Sequence, residues 1–163
     1  MWRENGGMIP HLLVVCLGNI CRSPAGEAAL REAAAAAGVD IMVESAGTGA
    51  WHVDDPPNIQ MRLAGDRAGL VVDGRGRQVK TAADLAEYDL ILAMDRSNLR
   101  DLRRVAPALA DRMHLYRSFD PDAESAEMPD PYGLSDSEFD LTVRRARSGA
   151  RAIVAAIASD LLP

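Results

Sequence analysis

Short aliphatic runs alternate along the chain with longer segments that have the composition of helices. Each run has the length of a β-strand, and the run at residues 12–16 is apolar throughout. An unbroken apolar strand is typical of a parallel sheet whose two faces are both covered. The pattern predicts strands at residues 12–16, 41–45, 89–94 and 113–116.

Capping signals delimit the helix that follows the first strand. Ser23 is expected to be its N-cap and Pro24 its first residue, because a proline at that position loses no hydrogen bond. An alanine-rich segment then continues to Ala37, and Gly38 suits the position after a helix end. The sequence therefore predicts strand, loop and helix in direct succession.

A second helix is expected to begin at Asp55-Pro56 and to end near Gly69. Its aliphatic residues have helical spacing and predict one apolar face, formed by Ile59, Leu63 and Leu70.

Two more helices are predicted in the second half of the chain. One is arginine-rich, follows the third strand and ends before Pro107. The other follows Ser135 and Glu138, which form a capping-box pattern, and carries an apolar stripe from Phe139 to Ile157. Residues 118–134 contain three prolines and no periodicity, so they predict a long loop, and loops of this length are usually functional.

Strands that alternate with helices predict an α/β fold, with a parallel sheet, helices on both faces and right-handed crossovers. We expect a flexible tail at residues 1–7 and one domain at residues 8–163, with Met8 as an alternative start. Ligands of such folds bind beyond the carboxyl ends of the strands, where the strand order reverses. Cys16 stands at such an end.

Composition narrows the classes of partner. The net charge of −6 and the pI near 5.0 argue against non-specific attraction to nucleic acid or to anionic lipid. The longest aliphatic run, residues 9–17, is much shorter than a membrane span and lacks the flanks of a signal peptide. We therefore expect a cytoplasmic protein with neither nucleic acid nor membrane as a partner.

The cysteines and histidines argue against disulfide or zinc frameworks. The two cysteines, Cys16 and Cys21, lie in one short stretch, which favours a reducing compartment. Structural zinc needs four ligands, and the three histidines show no paired spacing, so no metal or other cofactor is expected. The common nucleotide-binding loop is absent as well, because no Gly-Lys-Ser/Thr follows the strand.

The loop between the first strand and its helix has the chemistry of a phosphate site. Helix-terminal N–H groups lack partners within the helix and favour an anion, and an arginine fork binds two phosphate oxygens. Cys16 would lie beneath the phosphorus, where the loop amides and Arg22 favour its nucleophilic thiolate form. Ser23 can assist sulfur as a leaving group. The predicted phosphate-binding residues are Leu17, Gly18, Asn19, Ile20, Cys21, Arg22 and Ser23.

The segment from Val15 to Pro24 resembles the signature loop of bacterial low-molecular-weight protein tyrosine phosphatases. Pro129-Asp130-Pro131-Tyr132 is similar to the general-acid loop of that family. Residues 45–49 and 94–99 match further family segments, so the resemblance extends over nearly the whole chain from Met8. It implies a three-layer, flavodoxin-like fold with a four-stranded parallel sheet, and a tyrosine-phosphorylated protein, such as a bacterial tyrosine kinase, as substrate.

The resemblance also assigns roles to residues outside the phosphate loop. Asp130 would protonate the phenolate leaving group, whose parent pKa is about 10. Trp51 and Tyr132 are two of only seven aromatic residues and fall in loops predicted to form the site, so they are expected to stack on the substrate ring. Asn19 and Ser45 would shape the loop through hydrogen bonds, and Cys21 would form a reversible disulfide with Cys16.

The chain departs from the family pattern at two positions. Gly74 stands where a histidine of the supporting network is common, so that network must be completed differently or be weaker. Gly133 replaces a frequent second tyrosine and would open one wall of the site.

Each role has a simpler structural alternative. Cys16 could be a buried strand-end cysteine, Asp130 one more solvated acid, and Cys21 a packing residue. Trp51 and Tyr132 could anchor their loops.

Three other functions stay open. Phosphoarginine phosphatases resemble this chain but carry a small polar residue where Ile20 stands. Arsenate reductases of the same fold usually need a late cysteine pair, and no cysteine follows Cys21. A non-catalytic phosphate-binding module would not need Asp130.

Overall fold

The structure is a computed structural model that describes residues 9–160. The tail predicted at residues 1–7 lies outside the described residues, so the division into a tail and one domain stays a prediction. None of the helices in the described part of the chain combines the length and the apolarity needed to cross a membrane.

Within residues 9–160, parallel strands form a sheet with the order β2-β1-β3-β4. The strands are β1 (His11–Cys16), β2 (Met42–Gly47), β3 (Leu90–Ala93) and β4 (Met113–Leu115). The fold is the predicted flavodoxin-like α/β type, a parallel sheet between helices. The strand order reverses at β1, so the carboxyl end of β1, where Cys16 lies, is the expected position of a ligand site.

Helices cover both faces of the sheet. They are α1 (Arg22–Ala37), α2 (Ile59–Ala68), α3 (Ala82–Ala86), α4 (Arg96–Val105) and α5 (Asp136–Ala158), and two short 3₁₀ segments occupy Pro107–Arg112 and Tyr116–Phe119. Alternate residues of β1 enter two separate cores. Leu12 and Val14 pack with α1, α2 and α5, whereas Leu13 and Val15 pack with α3 and α4.

Two helix starts differ from the prediction. Helix α1 begins at Arg22 rather than at Pro24, and the Ser23 hydroxyl does not cap it, because that hydroxyl binds side chains of the preceding loop. Helix α2 begins at Ile59 rather than at Asp55-Pro56, because the Asn58 side chain accepts hydrogen bonds from the main-chain N–H groups of residues 60 and 61.

Other predicted features of the helices are also wrong. Of the predicted apolar face, Ile59 and Leu63 are exposed, and Leu70 is buried but lies beyond the end of α2. The helix instead buries Met61, Ala64 and Gly65. Ser135 occupies the N-cap position of α5, but its hydroxyl binds Ser137 and the capping box does not form. Neither α3 nor the 3₁₀ segments were predicted.

The buried ring of Tyr116 lies between α1 and α5 at two glycines. A methyl group at Gly149 would lie 2.7 Å from ring atom Cε1, and one at Gly26 would lie 3.1 Å from Cε2. The Tyr116 hydroxyl donates to the carbonyl oxygens of Gly26 and Ala146, at 3.2 and 2.8 Å. Burial raises the pKa of this hydroxyl. The contact therefore joins α1 to α5.

Candidate active site

A cavity of about 200 Å³ opens at the carboxyl end of β1. Most of the residues proposed from the sequence surround it, although they come from three separate parts of the chain. Its lining consists of Cys16, Leu17, Gly18, Ile20, Cys21, Arg22, Trp51, His52, Asp130 and Tyr132.

Cys16 is buried at the end of β1, and its sulfur has two polar neighbours. Sγ lies 3.0 Å from the hydroxyl oxygen of Ser23, and the main-chain N–H of Asn19 donates to it at 3.3 Å. Contacts of this kind stabilise negative charge on sulfur.

Asn19 holds the loop in its curved shape. Its φ of 57° lies in the left-handed region, which asparagine adopts more readily than most residues. The Asn19 side-chain amide donates to the hydroxyl oxygens of Ser23 and Ser45, at 2.8 and 2.9 Å. Ser45 therefore lies behind the loop rather than in the cavity.

The hydrogen-bond network around Asn19 has Gly74 in place of a histidine, and a main-chain group completes it. The N–H of Arg77 donates to Asn19 Oδ1 at 3.0 Å, so both ends of the Asn19 amide are bonded. Gly74 itself has a φ of +106°, a conformation that other residues rarely adopt.

Arg22 is buried and anchored on one side. Its Nη1 donates to Asp95 Oδ2 at 2.6 Å and to the carbonyl oxygen of Met128 at 3.0 Å. Burial of the guanidinium opposes its charged form, but the negative charge at Cys16 and the bond to Asp95 outweigh burial and raise its pKa. Arg22 is therefore a permanent positive charge beside the cavity.

Asp130 lies over the cavity between two prolines. Its Oδ2 is 3.7 Å from Arg22 Nη2, and its Oδ1 accepts the main-chain N–H of Tyr132 at 3.1 Å. Nearly half of the side chain, 48 %, is exposed. The carboxyl group is thus held near the arginine and remains accessible to a substrate and to water.

Two exposed aromatic side chains stand at the mouth of the cavity. Trp51 is 72 % exposed and Tyr132 is 61 % exposed. The indole ring lies directly against Gly49, since a methyl group there would be 2.0 Å from its Cζ3. Exposed aromatic rings that line a cavity offer surfaces on which an aromatic ligand can stack.

Cys21 is a free and buried thiol in the same lining. Burial, and after it the negative charge at Cys16, raises its pKa to about 12. Cys21 is therefore protonated at neutral pH.

Sequence reasoning missed three groups that the structure brings to the site. Asp95 and Met128 anchor Arg22 from 73 and 106 residues away, and His52 lines the cavity. The position of His52 next to Trp51 was the only signal for it in the sequence. No group of three or more His, Cys, Asp or Glu side chains within residues 9–160 is arranged to hold a metal ion.

Known proteins show the same sequence pattern and the same fold. The family profile described as "Low molecular weight phosphotyrosine protein phosphatase" matches residues 11–161. The low molecular weight protein-tyrosine-phosphatase YfkJ of Bacillus subtilis is 36 % identical over 150 residues, which cover 90 % of this chain and 94 % of that protein.

Solved structures agree with this relationship. A protein tyrosine phosphatase from Entamoeba histolytica, with Hepes in its active site, has a TM-score of 0.89 and 28 % identity over 93 % of this chain and 98 % of its own. The tyrosine phosphatase Wzb from Escherichia coli K30, in complex with sulphate, has a TM-score of 0.79 and 34 % identity over 92 % and 99 %.

The profile match spans nearly all of the described chain, and the relatives are covered over almost their full length. The chain therefore belongs to the low molecular weight phosphotyrosine protein phosphatase family.

Proposed function

We propose that this protein hydrolyses phosphotyrosine in proteins through a phosphocysteine intermediate on Cys16. The observation that carries the proposal is the position of the Cys16 sulfur, which lies among hydrogen-bond donors in the same cavity as Arg22 and Asp130. The names of the relatives support the substrate class.

In the first step, the Cys16 thiolate attacks phosphorus, and the bond from phosphorus to the tyrosine oxygen breaks. The carboxylic acid form of Asp130 gives its proton to the departing phenolate, which leaves as tyrosine. Arg22 and the loop N–H groups bind the phosphoryl oxygens, on which negative charge is concentrated.

In the second step, the Asp130 carboxylate takes a proton from water, whose oxygen attacks phosphorus. The bond from phosphorus to sulfur breaks, and the electron pair returns to Cys16 as thiolate. The Ser23 hydroxyl, 3.0 Å from that sulfur, donates to it as the charge develops. The cycle needs no metal, and Asp130 ends it protonated.

The walls and the support of the cavity fit this substrate. Trp51 and Tyr132 would stack on the phenyl ring, and stacking of this kind contributes about 1 kcal/mol. Asn19 and Ser45 hold the loop N–H groups in place. The related Wzb forms a complex with sulphate, a tetrahedral anion like the phosphate group, which supports anion binding by this fold.

We also propose that Cys21 protects the nucleophile against oxidation, in a reducing compartment such as the cytoplasm. Peroxide would convert Cys16 to a sulfenic acid. The Cys21 sulfur would then form a disulfide with Cys16 as hydroxide leaves and takes the Cys21 proton to give water.

The test of the main proposal compares the wild type with Cys16→Ser in reducing, metal-free buffer. The substrates are p-nitrophenyl phosphate, phosphotyrosine and phosphoarginine, and orthovanadate is added as an inhibitor. We expect vanadate-sensitive activity on the two aryl phosphates and a loss of roughly a thousand-fold or more in Cys16→Ser.

Circular dichroism of both proteins serves as the folding control. Activity that survives in Cys16→Ser, or no activity from folded and reduced wild type, would overturn the proposal. A preference for phosphoarginine would keep the nucleophile and replace the substrate class.

A further inference from the structure

The segment that carries His52 is clamped to a second loop of the chain. The N–H of Asp54 donates to the carbonyl oxygen of Gly76, and the N–H of Gly76 donates to that of Asp55, both at 2.8 Å. A methyl group at Gly76 would lie 2.0 Å from the His52 carbonyl oxygen, so this close approach requires glycine. The main chain at His52 therefore has a fixed position beside the phosphate loop.

The imidazole ring has a fixed orientation as well. Its Nδ1 lies 3.1 Å from Asp55 Oδ2, and because a carboxylate only accepts hydrogen bonds, Nδ1 carries the proton. The opposite edge of the ring faces the phosphate loop, since a methyl group at Gly18 would be 3.2 Å from Cδ2. Nε2 is bonded to Cδ2 and lies on that edge, where in the neutral ring it is an acceptor.

The ring is placed for binding rather than for packing. One third of the side chain, 34 %, is exposed, and the ring lines the same cavity as Trp51 and Tyr132. Cys16, Arg22 and Asp130 already account for the bonds and protons of the proposed reaction. A small aryl phosphate ends within the cavity, whereas the main chain of a peptide continues past the mouth.

We propose that His52 is a specificity-determining residue whose Nε2 accepts a main-chain N–H of a phosphotyrosyl peptide. The proposal rests on the proposed function and adds recognition of the polypeptide to it. Asp55 is the positioning residue, since it selects the tautomer in which Nε2 is free to accept. Because the bound N–H does not react, the contact is as strong in the ground state as in the transition state and acts on KM.

The experiment compares kcat and KM for p-nitrophenyl phosphate and for the acetylated, amidated peptide Ala-Ala-phosphotyrosine-Ala-Ala. The variants are His52→Ala, His52→Asn and His52→Gln. Glutamine can place an oxygen acceptor near the position of Nε2, but asparagine is too short. The matched control is Val53→Ala, which truncates an exposed neighbour in the same segment.

We expect the ratio of kcat/KM for the peptide to that for p-nitrophenyl phosphate to fall about tenfold in His52→Ala and His52→Asn. The loss should appear in KM. His52→Gln should keep most of the wild-type ratio, and Val53→Ala should keep all of it. Equal losses on both substrates, an unchanged ratio in His52→Ala, or a loss in His52→Gln as large as in His52→Ala would overturn the proposal.

A second measurement changes the peptide instead of the protein, and its deciding comparison is made on the wild type, so it does not depend on the folding of a variant. Peptides with N-methyl groups at the phosphotyrosine or at the following residue lack one main-chain N–H each. One of them should raise KM about tenfold with the wild type, and that same change should have little effect on His52→Ala. If neither peptide raises KM, the proposal is wrong. Failure of the phosphatase proposal itself would look different, because wild type would then lack Cys16-dependent turnover of both substrates.

Discussion

Among residues 9–160, the polar partners of the Asp130 carboxyl are Arg22 and the main-chain N–H of Tyr132, and the side chain is half exposed, so its carboxyl can be changed without removing a packed side chain. We expect Asp130→Asn to lower kcat for phosphotyrosine by roughly a hundred- to ten-thousand-fold, because the amide cannot give a proton to the phenolate. The loss should be smaller for p-nitrophenyl phosphate, because p-nitrophenol is a more acidic leaving group. Steady-state kinetics with both substrates measure the difference.

Asp122→Asn is the matched control, since Asp122 is an exposed aspartate of the same loop that does not line the cavity. Its kinetics should equal those of the wild type. Equal losses on both substrates in Asp130→Asn would contradict a role in protonating the leaving group.

The thiol of Cys21, whose pKa is raised to about 12, should decide whether oxidation of the site is reversible. After peroxide treatment, wild-type activity should return with dithiothreitol, because a disulfide is reducible. Cys21→Ser should recover much less, because Cys16 then proceeds to sulfinic acid. Activity recovery and the intact mass of each protein measure this. Equal recovery of both proteins would show that Cys21 has no protective role.

For single residues, the spacing of Cys16 and Arg22 in the sequence predicted that both lie at one site. The cysteine and the arginine six positions later end a strand and begin a helix, and the structure places both at one cavity. The anchors of Arg22 could not be predicted, because Asp95 and Met128 reach it only through the fold. Of the two roles expected for Ser23, the helix cap does not form, because the neighbouring loop turns its hydroxyl toward Asn19 and toward Cys16, its other expected partner.

Among the elements, the contact of Tyr116 with α1 and α5 is the one most sensitive to added volume. Gly149→Ala would place a methyl group 2.7 Å from the buried ring, so the ring or the helix must move. We expect a loss of about 1–3 kcal/mol in the free energy of unfolding, as for other overpacked cores. Urea titration measures this loss, provided that the slope of the unfolding free energy against urea concentration is the same in both proteins.

Arg151→Ala on the exposed side of the same helix is the control and should change stability by less than about 0.5 kcal/mol. If Gly149→Ala were as stable as this control, α5 would have room to shift and the contact would not be tight.

The strands were easier to predict than the helix faces, and α2 shows why. A strand buried on both faces is apolar throughout, so β1 and β3 stand out in the sequence. Helix α2 packs through Met61, Ala64 and Gly65, where small residues allow close approach. Its largest aliphatic residues are exposed, so the hydrophobic pattern predicted the wrong face.

For the whole molecule, Glu124 connects distant parts of the chain, since it pairs with the buried Arg117 and with Arg145 of α5. A hydrogen bond between the Glu124 carboxylate and its own main chain, together with the two arginines, lowers the pKa of the carboxyl to about 2. A lowered carboxyl pKa stabilises the folded state above the ordinary value, and this contribution is lost as pH falls toward the lowered value.

Glu124→Gln should therefore lower the urea midpoint at pH 7, and the difference from wild type should shrink from about pH 4.5 downward. Urea titrations from pH 7 to pH 3 test this. Glu87→Gln, at an exposed carboxylate with no ion pair to any described residue, should follow the wild type throughout. A Glu124→Gln difference that stays constant with pH would have to come from lost packing rather than charge.

The architecture as a whole followed from the alternation of strands and helices, since crossover connections leave few arrangements for such a chain. The alternation of strands and helices does not predict the course of the connecting loops. Asp54 and Asp55 meet Gly76 through main-chain hydrogen bonds, which carry no side-chain signature, so the position of His52 required the structure.

The anchoring of Arg22 also bears on the rate at which the protein would dephosphorylate its substrates. Because Asp95 and Met128 hold the guanidinium through contacts within the protein, its orientation does not require the polypeptide part of a substrate. Under the proposed function, the last product of each cycle is therefore a competitor for the next substrate. The rate of dephosphorylation would then depend on the ambient phosphate concentration. Contacts outside the phosphate loop would have to favour the substrate over free phosphate.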